Sequence, residues 1–456
     1  MKKIVVVFLI VIVCMSLILG IYNIKSIDSL MRPPKLSGES SLLQSAFEKT
    51  VSGSDGIVMK NPLDGEYTSS YLYYDLNNDG IEEAFVFYSD LVEDNMACVN
   101  IFKKVNEEWT FVSKIKGKSE EIYEISFADF NGDNTCEILL SWKPVDNSDL
   151  TNLPEFSSIG SRLLSIYNYN EVSTSLLRSE LYSNYYIEDF NADNSMDLFL
   201  INISLTDLEK KTSGRILSFD DNYSVVNDHL VSLTGMLDVY NIVSDFVIES
   251  GEFVTRIFVD GTISENGVIT EVVNISHDSF EISLPLYVQN QSTQPNTLRD
   301  TKSFSCDIDG DGIVEIPTLE MLPHSKIIAK ETNETSTLNL TVWNELSHSR
   351  LITDKKCVYN SAFKYMFIIS EEFNEGITAI YDYNDDTLTF YEVNYSGKYG
   401  DELFTIKAFY TNNWESDNLD YHKFTENETY VYGCKFSDSD IRKEYSEYIN
   451  DNFIII

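Results

Sequence analysis

The chain has 456 residues, 43% of them apolar and 13% aromatic, with 28 Tyr and 26 Phe; that is enough β-favouring, core-forming side chain for a large packed body, and it excludes a disordered protein. Against 33 basic residues stand 73 acidic ones, a formal net charge of −40. Such a surface repels nucleic acid and has no basic patch with which to hold it.

Lys2 and Lys3 precede an unbroken apolar run from Ile4 to Tyr22, about the length a helix needs to cross a bilayer. Lysines before the run and an acidic body after it place the N-terminus inside. Residues 1–23 are therefore expected to form a single-pass transmembrane anchor with the body outside the cytoplasm. The alternative is a lipoprotein acylated at Cys14, but Val13 is large for the residue before an acylated cysteine and the stretch stays apolar beyond it. Residues 24–54 read as a juxtamembrane linker, extended at Pro33 and Pro34, and a short helix over 41–50 with Leu42, Leu43, Ala46 and Phe47 on one face.

The next segment carries four copies of one acidic loop: DLNNDGIEE from Asp75, DFNGDNTCE from Asp129, DFNADNSMD from Asp189 and DIDGDGIVE from Asp307. Positions 1, 3, 5 and 9 are Asp75, Asn77, Asp79 and Glu83; Asp129, Asn131, Asp133 and Glu137; Asp189, Asn191, Asp193 and Asp197; Asp307, Asp309, Asp311 and Glu315. Hard oxygen ligands converging from one tight loop suit Ca2+, and position 7, occupied by Ile81, Thr135, Ser195 and Ile313, completes the set, since that position serves through its backbone carbonyl in oxygen-ligated calcium loops. Position 6 must turn sharply and holds Gly80, Asn134, Asn194 and Gly312, the residues that tolerate positive φ best. An EF-hand adds a bidentate Glu at position 12, where this chain has Val86, Leu140, Leu200 and Thr318, so these are not EF-hands. The residues after position 9 alternate like a strand (AFVFY, ILLSW, LFLIN), which sets the loops between strands. Of the four, the all-carboxylate Asp307 loop is expected to bind most tightly.

The loop starts lie 54, 60 and 118 residues apart, and the last interval is twice 59, about double the others. Near its midpoint Asp245 and Phe246 align with Asp129-Phe130 and Asp189-Phe190, but positions 3 and 9 have become Val247 and Phe253. This reads as a repeat that kept its strands and lost its metal. A period in this range marks a solenoid, propeller or array, and one loop plus about four short strands is the content of a propeller blade. The expected fold is mainly β: a β-propeller-like array of four-stranded repeats over 55–355 and a small C-terminal α+β region over 356–456.

The loops and their period resemble the FG-GAP or VCBS type of calcium-loop repeat, seen in integrin-like propellers and many bacterial surface proteins. The stretches SLMRPPKLSGESSLLQSAFE, YYDLNNDGIEEAFVFY and DIDGDGIVEIP are also similar to membrane-anchored proteins of clostridia-like bacteria, over most of the chain. The resemblance implies an extracytoplasmic calcium-loop propeller and no particular activity.

In the C-terminal region Asp382, Asn384 and Asp386 mimic the loop spacing, but position 9 is Phe390 and the flanks form a natural hairpin, so a turn is expected there. The chain closes with a helix over SDSDIRKEYSEYIN, with Ser437 as N-cap and Ile441, Tyr445 and Tyr448 on one face. Six cysteines lack CxxC spacing, which excludes a zinc pattern; Cys136 and Cys306 read as small core hydrophobes, while Cys357 and Cys434 could pair. Five scattered histidines, and the lack of a nucleophile elbow, an HExxH helix or a phosphate-cradling loop, leave no catalytic motif. The expected function is a non-enzymatic scaffold with calcium, the membrane and a protein or glycan as partners. A carbohydrate-active enzyme with structural calcium is the alternative.

Overall fold

In a computed structural model of the protein, the structure describes residues 39–51, 56–92, 94–143, 162–205, 210–265, 267–286, 296–330, 332, 334–370, 373, 376–393, 399–414 and 420–456. The anchor expected at Ile4–Tyr22, Cys14 and most of the linker lie outside the described residues. Among the described residues no helix is long and apolar enough to cross a membrane.

The body is mainly β and falls into two compact units, one of residues 39–143 with 162–181, the other of 182–456. In the first, strand Glu83–Asp90 shows how the alternation of side chains builds a core on two faces. Phe85 and Phe87 join one apolar cluster with Val99, Ile101, Leu140 and Trp142. Ala84, Val86 and Tyr88 point the other way, into a cluster with Leu43 and Phe47 of helix α1 (Glu39–Thr50). The expected helix is present, but its buried stripe is narrower than expected: Leu43 and Phe47 are buried, whereas Leu42 is exposed. At 100° per residue two neighbouring leucines cannot both face one sheet.

Antiparallel sheets succeed one another along the chain, each with the strand content of a propeller blade. The first unit holds Tyr71–Tyr74, Glu83–Asp90, Ala97–Val105 and Glu108–Lys116, with Ile57–Met59 added beside Glu83–Asp90, and then Ile122–Ala128, Glu137–Trp142, Arg162–Tyr169 and all but the last residue of Thr174–Tyr182. The second unit continues with Asn184–Glu188, Asp197–Leu205, Lys210–Phe219 and Val225–Leu233, then Asp238–Glu249, Glu252–Ser264, Gly267–Ser276 and Ile282–Ser283. A fifth sheet takes Ile316–Met321, Asn339–Ser347, Arg350–Asn360 and Tyr365–Ile368, and is completed by Phe453–Ile455 from the far end of the chain.

Strand Arg350–Asn360 runs through the expected boundary at 355/356. A seven-stranded sheet draws strands from both sides of that boundary and contains a parallel pair, Lys326–Ile328 with Ile377–Asp382. Asp382 pairs with Thr387 across a hairpin, with Asn384 N–H donating to the Asp382 carboxylate at 2.8 Å, so this stretch is the turn expected. Helix α2 (Ser439–Asn452) is capped by Asp438, not Ser437: its carboxylate accepts from Asp440 and Ile441 N–H. Ile441, Tyr445 and Tyr448 pack on the largest apolar cluster of this region, with Ile449 buried in it. Cys357 and Cys434 are both free and buried.

Candidate metal centres

Each of the four loops closes an antiparallel pairing in one register, with the residue before position 1 opposite position 9; three join paired strands and the fourth an isolated bridge. The pairs are Tyr74 with Glu83, Ala128 with Glu137, Glu188 with Asp197 and Cys306 with Glu315. Within the loops the hydrogen bonds repeat almost bond for bond. One oxygen of the position 1 Asp accepts from N–H of position 5 at 3.1, 3.2, 3.1 and 3.1 Å, and the other from N–H of position 6 at 2.8, 2.8, 2.8 and 2.9 Å. The position 5 Asp accepts from N–H of position 7 at 2.8 Å in all four. These bonds curl the backbone around the side chains at 1, 3 and 5.

That curl needs positive φ at position 6, and Gly80, Asn134, Asn194 and Gly312 have φ of 83°, 65°, 70° and 90°. Position 4 needs it too, which sequence reasoning missed: Asn78, Gly132, Ala192 and Gly310 stand at 54°, 71°, 59° and 81°. Two Gly and one Asn among the four occupants were the available signal; Ala192 obscured it, because alanine is disfavoured in that region.

In the Asp307 loop the carboxylates of Asp307, Asp309 and Asp311 have oxygen atoms within 4.8 Å of one another. In the other three the position 3 amide bonds the position 5 carboxylate, Asn77 to Asp79 at 3.3 Å, Asn131 to Asp133 at 3.0 Å and Asn191 to Asp193 at 2.9 Å. Position 9 is placed differently. Glu315 does not join the Asp307 carboxylate group, and all four position 9 side chains are buried, accepting from N–H of position 2 at 3.0, 3.0, 2.9 and 2.9 Å. Burial pushes Glu83 upward and Asp197 and Glu315 to about 7. Glu83 also accepts from Tyr169 Oη at 3.2 Å, a contact from the next sheet.

The residues fit a hard divalent cation. Side-chain oxygens gathered at 1, 3 and 5 of a loop already held by its own N–H groups are the donor set that Ca2+ takes at flexible geometry. A cation bound there would neutralise carboxylates that otherwise repel one another. In the Asp307 loop an ammonium supplies part of that charge: Lys355 Nζ lies 2.5 Å from Asp309 and 2.8 Å from Asp354, and its hydrogen bond holds Asp309 below the usual carboxylate range.

At Asp245 the loop is replaced by a hairpin. Strands Asp238–Glu249 and Glu252–Ser264 pair without a break from Asn241 to Glu249, so Asp245 sits opposite Arg256 in mid-ladder. The guanidinium binds both carboxylate oxygens, Nε at 2.7 Å and Nη2 at 2.5 Å, with both side chains buried. Here a protein cation takes the role proposed for a metal elsewhere. Arg256 Nη1 also donates to Leu346 carbonyl at 2.5 Å and Val314 N–H to Asp245 at 2.9 Å, which ties this sheet to the one after it.

No protein-family model matches the chain, and no curated protein does. Among solved structures, a levansucrase variant from B. megaterium is similar at 12% identity and TM-score 0.25, over 68% of this chain and 94% of that one. An α-L-arabinofuranosidase from Lactobacillus brevis is similar at 8% identity and TM-score 0.26, over 64% and 91%. A hypothetical selenium-binding protein from Sulfolobus tokodaii is similar at 8% and 0.28, over 74% and 80%. The expectation of a non-enzymatic protein is corrected on this finding: two of these three similar structures are enzymes by name, so the negative is not kept. TM-scores this low transfer no activity to this chain.

Proposed function

We propose that the protein is a calcium-loop β-propeller of the FG-GAP or VCBS kind, held at the outer face of a membrane by Ile4–Tyr22, with Ca2+ at the Asp75, Asp129, Asp189 and Asp307 loops. The observation that carries this reading is one hydrogen-bond template recurring in all four loops, down to the position 1 carboxylate accepting from N–H of both 5 and 6. Ordinary Asx turns have no reason to share eight such bonds at a common spacing. An ion that binds only the folded form at about 100 times its dissociation constant stabilises by roughly 2.7 kcal/mol per site. Calorimetric titration of chelator-treated protein should show calcium uptake, and the unfolding midpoint should fall in chelator and recover with calcium better than with magnesium, whose octahedral demand these loops do not meet. No uptake together with an unmoved midpoint reduces the loops to turns.

A second reading is favoured by a specific observation: the body acts on or binds carbohydrate, with calcium in a structural role. Beside the first loop lies an open cavity of ≈ 520 Å³ whose walls combine aromatic rings with carboxylates and an ammonium. That size falls in the range of small-molecule sites, roughly 300–1,000 Å³.

A further inference from the structure

We infer that the cavity between the first acidic loop and the Asn106–Glu107 hairpin is a saccharide-binding subsite. The inference deepens the carbohydrate reading by naming its place and residues, and it does not require a cation at the loops. Strands and turns of the first sheet build the site, with Lys104 coming from strand Ala97–Val105. Strand Tyr71–Tyr74 contributes Tyr73, strand Glu108–Lys116 contributes Trp109, and the loop backbone at Gly80 and Ile81 carries Glu82 onto the rim. Val105 pairs with Glu108 across a two-residue turn, Asn106 and Glu107, both at positive φ (50° and 66°), the hairpin geometry that matches strand twist. That turn is short and tight, so it fixes the backbone that brings a carboxylate and an amide into the lining.

The floor is aromatic. Tyr73 and Trp109 have centroids 5.9 Å apart at 47°, and Tyr73 is steadied by its hydroxyl, which donates to Ser40 Oγ at 3.4 Å. Lys104 lies over Trp109 at 5.9 Å and pairs with Glu107 at 3.4 Å. A sugar ring presents an apolar C–H face, which suits an aromatic floor, and a rim of hydroxyls that both donate and accept. Glu82 and Glu107 accept, Lys104 donates, and Asn106 does both. A purely apolar ligand would strand these charges. A small anion would meet two carboxylates against a single ammonium that is already paired. A polyhydroxylated ring uses both kinds of surface.

The test uses the full chain in detergent and five neutral tetrasaccharide probes: maltotetraose, cellotetraose, chitotetraose, an arabinotetraose and a fructotetraose. Binding is followed by titration calorimetry and tryptophan fluorescence, and circular dichroism checks each variant's fold. At least one probe should bind saturably and perturb tryptophan emission. Trp109→Ala should weaken that binding by on the order of tenfold or more, the size of a lost aromatic stacking contact, while Trp109→Phe retains most of it. Glu82→Gln should weaken it less, because the amide keeps one acceptor. Binding that survives Trp109→Ala unchanged overturns this site while leaving the carbohydrate reading intact. No binding of any probe to the wild-type chain overturns both.

Discussion

Replacing Arg256 by methionine should be among the most damaging single changes in the second unit. Arg256 and Asp245 have side-chain exposures of 2% and 1%, so the carboxylate left behind would be a buried charge whose remaining contact here is Val314 N–H, and the Leu346 carbonyl would lose a donor. Breaking one partner of a buried pair costs about 3–5 kcal/mol. At roughly 2–4 °C per kcal/mol for a unit of this size, the midpoint should drop by on the order of 10 °C. The informative assay is a double-mutant cycle by thermal and urea unfolding: Arg256→Met, Asp245→Leu, and both together. With no charge left to bury, the double variant should recover much of the loss, since apolar replacement of a buried pair is often neutral, minus about 1–3 kcal/mol for the two stranded backbone groups. Additive losses in the double variant, or less than about 1 kcal/mol in the single one, would refute the view that a guanidinium here does the work proposed for a metal in the sister loops.

Three further outcomes are expected. Ala192→Gly relieves a left-handed alanine (φ 59°) and should stabilise the protein by about 1 kcal/mol, read as a small rise in unfolding midpoint; a fall contradicts the conformation assigned to position 4. Lys355→Ala removes an ammonium that competes inside the Asp307 loop, so calorimetry should find tighter calcium binding at one site and unchanged binding elsewhere. Because of Lys355, that loop should not be the tightest of the four in the wild-type chain, contrary to expectation from its charge alone. Finally, Tyr123 donates to Asp64 at 2.5 Å; that bond and Gly65 N–H hold Asp64 below its usual range, while burial and the same bond push Tyr123 up to about 12. Asp64 therefore contributes stability that is present above its unfolded pKa and lost as pH falls through the depressed value. Tyr123 contributes stability that is present below about 10 and lost as pH rises towards about 12. Tyr123→Phe should flatten both limbs of the stability–pH curve, and an unchanged curve would show that the bond is not made in solution.

What the sequence alone determined was much of what short-range stereochemistry governs, though not the left-handed residue at position 4 or the Asp438 cap of the last helix. Carboxylates at 1, 3 and 5 and a left-handed residue at 6 are local demands of one nine-residue turn, so four copies could be read off with their register, and so could the strands behind them, whose side chains alternate. The loss of the loop at Asp245 was legible for the same reason, since Val247 and Phe253 cannot serve as ligands. The group that replaced it was not, because Arg256 lies eleven residues on and only strand pairing brings it opposite Asp245. Lys355 and Asp309, 46 residues apart, and Glu83 and Tyr169, 86 apart, were hidden likewise. Position 9 shows the limit most plainly. The sequence shows an acidic residue there, but only the sheet register shows that its side chain is buried and accepts from the N–H of position 2. The Tyr73–Trp109 cavity belongs to the same class, because four strands, from Tyr71–Tyr74 to Glu108–Lys116, must pair before the two rings and the loop line one cavity, and pairing partners are chosen by the whole chain.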